Sequence, residues 1–151
     1  VRTAVDASVL VAGLLPWHEH HGPARTALRA LLGAETVREK PVLPAHALLE
    51  AYSVMTQLPA PFRVPPAKAF ALLEELTRGR VTLAQLSPDD TWRLLDRLAE
   101  AEITGGAVYD AAIANAAHRA GAQQILRARA GITAAFGRNS INPRGVALPA
   151  A

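Results

Sequence analysis

Cysteine is absent from this 151-residue chain. That excludes disulfide frameworks and thiolate metal sites, and it suits a reducing interior. Any metal must therefore be held by oxygen or imidazole. Long apolar runs are missing too: the longest, Val9 to Pro16, falls short of the ~20 residues that span a bilayer. It has the length of a signal-peptide core, but Asp6 sits where the positive flank belongs and no convincing cleavage site follows. The expected compartment is the cytoplasm, with no membrane partner. Lysine is scarce, present only as Lys40 and Lys68. Acid is missing altogether after Asp110. The formal charge of +3 therefore divides into +5 over the final 41 residues, from Arg119, Arg127, Arg129, Arg138 and Arg144, and −2 before them. Arginine in place of lysine favours bidentate phosphate contact. A solvated arginine-rich surface gives the same counts.

What is present describes a folded chain. Half the residues are apolar and 19% are charged, which excludes disorder as the general state. The length suits a single domain over residues 1–151. Val1 to Val5, rich in β-branched residues, reads as a buried parallel strand. Ala7 to Leu15 then reads as a helix that stops at Pro16. Residues 17–22 read as a loop, and Pro23 starts a helix over Ala24 to Leu32. Pro41-Val42-Leu43 is a second strand, and Pro44 opens a helix to about Gln57. Pro65-Pro66 starts the next helix, with Phe70, Leu72, Leu73 and Leu76 expected to face inward.

Val81 to Leu83 is a third strand. Ser87-Pro88-Asp89-Asp90 combines a serine cap, proline in the first turn and acid at the third position, a strong helix start. That helix runs to about Ile103, carrying Trp92, Leu94, Leu95 and Leu98. Thr104-Gly105-Gly106 breaks the chain before a helix from Ala107 to about Arg119. Gln123 to Leu126 is a fourth strand and Gly145 to Leu148 a fifth. Short apolar strands separated by helices predict a parallel sheet of four to five strands with helices on both sides.

Three acids stand in apolar settings. Asp6 ends the first strand, at the carboxyl edge where open α/β sheets bind ligands. Glu50 lies two turns into the helix that leaves the second strand, and Asp110 lies near the start of the helix feeding the fourth. Each also has a plain structural role open to it: Asp6 as a helix cap, Glu50 as a partly exposed helix residue, Asp110 as a complement to the helix dipole.

These residues carry a resemblance. Val5-Asp6-Ala7-Ser8-Val9-Leu10, Leu49-Glu50-Ala51-Tyr52-Ser53-Val54 followed by Leu58-Pro59, and Gly105-Gly106-Ala107-Val108-Tyr109-Asp110-Ala111 resemble the three signatures of PIN-domain ribonucleases. The likeness is closest to the VapC toxins of bacterial toxin–antitoxin pairs, and it covers nearly the whole chain in order and spacing. It implies a PIN-like α/β/α sandwich, with Asp6, Glu50 and Asp110 as metal-binding catalytic acids. It further implies an endoribonuclease toxin that leaves 5′-phosphate and 3′-hydroxyl ends, restrained by a VapB-like antitoxin, with a homodimer expected. The helices of residues 24–32, 44–57 and 66–77 offer apolar faces for either partner. Oxygen-only ligands suit Mg²⁺ or Mn²⁺, which would lower the pKa of a bound water and neutralise charge on the scissile phosphate.

One departure bears on activity. PIN nucleases often carry a fourth acid or an asparagine just after the fourth strand, preceded by threonine or serine. Here that strand runs into Arg127-Ala128-Arg129, and no carboxylate follows. Three carboxylates favour one firmly held ion over two. Arg127 and Arg129 then become candidates to grip the RNA backbone, or stand as a simple surface pair. Ser8, a substrate-binding candidate with Arg127 and Arg129, either holds a metal-bound water or orients Asp6, or caps its own helix.

The other polar groups weigh less. His18, Glu19, His20 and His21 lack helical metal-ligand spacing and read as a solvated loop near the active-site mouth. Trp17 has the chemistry to stack a base or meet a partner. Asn115 and His118 read as packing or surface residues.

The alternative within the family is a catalytically weak or inactive PIN-like domain that binds RNA. An aspartyl-phosphate phosphatase fails, because position 8 is serine and no lysine follows Lys68. A dinucleotide-binding domain fails for want of a Gly-x-Gly-x-x-Gly after the first strand.

Overall fold

The computed structural model describes residues 1–33 and 39–128, together with the backbone of 134–135. In chain order these are β1 (Thr3–Val5), α1 (Ala7–Leu14), α2 (His21–Leu32), β2 (Val42–Pro44), α3 (Ala45–Gln57), α4 (Pro66–Thr77), β3 (Thr82–Ala84), α5 (Pro88–Glu100), α6 (Gly106–Arg119), β4 (Gln124–Leu126) and β5 (Ala134–Ala135). The strands form one sheet in the order β3-β2-β1-β4-β5. The first four are mutually parallel and β5 runs antiparallel to β4. Among the described residues six helices flank the sheet, so the expected α/β/α architecture holds. The strand expected at Gly145 to Leu148 lies outside the described residues. No helix among the described residues is long and apolar enough to cross a membrane.

The sequence explains most boundaries. Pro66 and Pro88 occupy first helical turns, where a missing N–H costs nothing. Ser87 caps α5 by accepting from the Asp90 N–H at 3.0 Å, as its capping pattern predicts. The helix α2 begins at His21, earlier than Pro23 suggested. Pro23 still falls in the first turn, and the His21 ring pairs through Nδ1 with the Ala12 carbonyl at 2.9 Å, which draws the start of α2 onto α1.

Strands β1 and β2 are wholly buried, as central parallel strands should be. Their side chains join those of α1, α2 and α3 in the main core, around Leu10, Leu43, Met55 and Ile125. A smaller cluster, Leu94, Leu98 and Ala111, holds α5 to α6. Leu73 is buried and Leu72 and Leu76 are half-buried, but Phe70 is exposed, against expectation. Ala69 takes the buried place in that turn, and Phe70, about 100° further round the helix, faces out. Trp92 and Leu95 likewise stand exposed on α5.

At the amino edge of the sheet Arg2 acts as a clamp. Its guanidinium donates to the carbonyls of Lys40 (3.1 Å) and Ala120 (2.6 Å) and to Thr82 Oγ1 (3.1 Å). The opposite, carboxyl edge is left for polar chemistry.

Candidate metal and RNA site

Asp6 stands where β1 becomes α1, flanked by the ends of β2 and β4. It is buried, with 9% of its surface exposed. Burying a carboxylate is unfavourable unless its oxygens are satisfied. Here Oδ2 accepts from the Ser8 N–H at 3.2 Å and the Ser8 hydroxyl at 2.7 Å. Asp6 is therefore the N-cap of α1 as well as a candidate ligand. The Ser8 hydroxyl in turn accepts the Ala128 N–H at 3.1 Å. Of the roles open to Ser8, the contacts are those of a residue that orients Asp6.

Glu50 and Asp110 sit on α3 and α6, which pack against each other, while α3 also packs on α1. Both acids are half-buried and engaged by neighbouring groups. The three helices that carry or follow the acids thus form one continuous packing unit at the carboxyl edge. Among the described residues, however, no three His, Asp or Glu side chains converge closely enough to hold an ion. The donor chemistry, oxygen throughout, suits a hard divalent cation.

Arg127 follows β4 directly. Val5 is in register with Leu126, and the Asp6 N–H donates to the Leu126 carbonyl at 3.1 Å, so Arg127 lies beside Asp6 along the edge. Arg129 lies outside the described residues. Arg119, counted with the basic end of the chain, has a structural partner. It hydrogen-bonds Asp90 on α5 and holds that carboxyl below the usual aspartate range, helped by Ser87 and Arg93 against partial desolvation.

One expectation changes. The histidine-rich loop is not at the mouth of the site, because α1 leads the chain about 12 Å away from Asp6 before that loop begins. There Trp17 packs on Phe62 with ring centroids 4.8 Å apart, and Glu19 pairs with His20 at 3.3 Å. Asn115 is buried in α6, as a packing residue should be.

One pair went unnoticed in the sequence. His46 of α3 and Tyr109 of α6 stack with centroids 4.8 Å apart and planes inclined by 7°. Its signal was present: His46 lies one helical turn before Glu50, and Tyr109 immediately precedes Asp110.

The sequence pattern of the PIN domain matches residues 3–128 of the chain. The chain belongs to the PIN-domain family. Within it the chain is a VapC-like ribonuclease, 40% identical over 124 residues to ribonuclease VapC40 of Mycobacterium tuberculosis, covering 82% of this chain and 84% of that one. It is also 40% identical over 119 residues to ribonuclease VapC27 of the same species, covering 78% and 79%. The fold of this VapC-like chain matches the crystal structure of M. tuberculosis VapC20, a sarcin–ricin loop cleaving toxin. That match has a TM-score of 0.64 at 15% identity and covers 83% and 88% of the two chains.

Proposed function

We propose that the chain, acting as one PIN-like domain over residues 1–151, is the endoribonuclease toxin of a toxin–antitoxin pair. In this proposal Asp6, Glu50 and Asp110 hold Mg²⁺ or Mn²⁺ for hydrolysis of RNA phosphodiesters. The observation that carries it is the buried Asp6 carboxylate at the carboxyl end of a central strand, oriented by Ser8 and bordered by Arg127. A bound divalent ion would supply an acidified water and charge neutralisation at the phosphate. The chain supplies the rest. Ser8 holds the Asp6 rotamer, and burial keeps that carboxylate's field unscreened by water. Arg127 supplies positive charge for a phosphate, which positions the strand without reading its sequence. A VapB-like antitoxin is the proposed protein partner.

One observation favours a second possibility. Arg127 stands directly after β4, and no acid follows Asp110. A domain short of a fourth carboxylate would bind RNA and cut it slowly or not at all.

The test is incubation of total cellular RNA with the purified chain, free of partner, in Mg²⁺, Mn²⁺ or EDTA. Asp6→Asn, which keeps the helix cap, is run beside Asp6→Ala and Asp110→Asn. Discrete fragments that require metal and vanish in all three variants are expected. Cleavage that survives in the variants or in EDTA would remove the site assignment. Binding without cleavage would establish the RNA-binding domain instead.

A further inference from the structure

Asp6 is oriented by Ser8; the His46–Tyr109 stack joins the two helices that carry the other acids. His46 is the second residue of α3, just past the end of β2, one strand spacing (~4.8 Å) to the side of β1 and Asp6. Tyr109 lies in the first turn of α6, directly before Asp110. The rings are nearly parallel, and Tyr109 keeps 56% of its surface exposed. An aromatic pair serving only to pack two helices gains most when it is buried. This one stacks on His46 and still leaves more than half of Tyr109 exposed.

The other ring pairs among the described residues provide a contrast: Trp17–His18 and His18–His20 are inclined by 34° and 44°. Trp17 and Phe62 lie beyond the far ends of α1 and α3, away from the carboxyl edge, and their rings are inclined by 46°. A third ring continues a parallel pair as a regular stack, which a tilted pair does not offer. The parallel stack also stands beside the candidate acids.

We propose that Tyr109, backed by His46, is a platform on which an unpaired base of the RNA stacks next to the phosphate to be cut. This rests on the ribonuclease function proposed above and adds a binding residue to it. Proteins that recognise RNA commonly splay single-stranded bases onto aromatic rings. Such stacking tolerates any base, because every base has a π-face. Tyr109 thus fixes the position of a nucleotide relative to Asp110, and sequence choice arises elsewhere. His46 acts as a positioning residue that holds the tyrosine ring flat.

The test is binding of labelled single-stranded RNA to the full chain by fluorescence anisotropy, with Ca²⁺ as the ion. Each intact oligonucleotide is paired with one of equal length in which abasic riboses replace single bases in turn. Removal of the stacked base should weaken binding to the wild type about tenfold. Tyr109→Ala should bind the intact oligonucleotide about tenfold more weakly and lose that sensitivity, whereas Tyr109→Phe should keep both. His46→Ala should fall between them, and circular dichroism checks that each variant is folded. A Tyr109→Ala protein as sensitive to abasic sites as the wild type would overturn the platform and return the stack to helix packing or a protein interface. If the wild type still cleaves cellular RNA in that case, the ribonuclease proposal survives alone. If the wild type neither binds nor cleaves RNA, both fall.

Discussion

The Ser8 hydroxyl donates to Asp6 Oδ2 at 2.7 Å and accepts the Ala128 N–H at 3.1 Å. One oxygen thereby ties the end of β1, the first turn of α1 and the segment after β4. Ser8→Ala should cost about 1 kcal/mol of stability, the usual worth of a hydrogen bond. It should also lower kcat for RNA cleavage by roughly tenfold or more, as loss of a ligand-orienting partner does. Ser8→Thr retains a hydroxyl and should recover most of the rate. Equal kcat in wild type and Ser8→Ala would mean that Asp6 is oriented without it.

Arg127 should act on affinity and leave the chemistry alone. Its place beside Asp6 follows from β1–β4 register, and a guanidinium has the shape for bidentate contact with a phosphate. Arg127→Gln should weaken binding of unrelated RNA sequences alike and reduce the slope of log K against log salt by about 0.7, one single-strand phosphate contact. An unchanged slope would assign Arg127 to the protein surface.

Gly105 caps α6 with φ 63° and ψ −142°, a conformation essentially closed to residues with a side chain. Gly105→Ala should cost about 1–3 kcal/mol by urea denaturation. Because α6 starts there, the same change should disturb Asp110 and lower RNA cleavage more than the stability loss explains at temperatures well below melting. Gly106, with ample room for a methyl group, is the control: Gly106→Ala should be nearly neutral.

Much of this was legible in the sequence because the signals were local. An apolar run ending in Asp6 announces a strand edge, and the prolines at positions 66 and 88 announce helix starts. What was hidden depends on which elements meet. The His46–Tyr109 stack exists only through the packing of α3 on α6, and the partnership of Arg119 with Asp90 only through α5 on α6. The histidine-rich loop was assigned to the wrong end because composition carries no direction; the run of α1 from the carboxyl edge decides it. Phe70 was misjudged because a small residue, Ala69, fills the buried position that a larger one usually takes. Ala134–Ala135 has neither length nor alternation to mark it as a strand.

Helices α3 and α4 and the edge strand β3 line a groove of about 420 Å³, with Leu49, Tyr52, Phe70 and Leu83 exposed along it. Exposed apolar residues collected in one place mark association surfaces. If the expected homodimer forms here, the wild type sediments as a dimer and Phe70→Glu or Leu83→Lys sediments as a monomer with an unchanged far-ultraviolet spectrum. Dimers that persist in both variants would move that interface to another face.

Acid should expose the work of Asp90. The hydrogen bond from Arg119 holds its carboxyl below the ordinary aspartate value, with Ser87 and Arg93 adding to the effect and partial desolvation opposing it. A carboxyl depressed in the folded state contributes stability that is fully present above its unfolded value, about 3.9. That contribution drains away as pH falls through the folded value. Asp90→Asn should therefore be less stable than wild type at neutral pH, and the gap between their denaturation midpoints should narrow as pH drops below about 4. Arg119→Gln removes the same partner from the other helix and should show the same narrowing, whereas the solvent-exposed Arg93 should matter less. A gap that stays constant down to the lowest pH would mean that the α5–α6 contact is held by Leu94, Leu98 and Ala111 alone, with the ion pair contributing nothing that titrates.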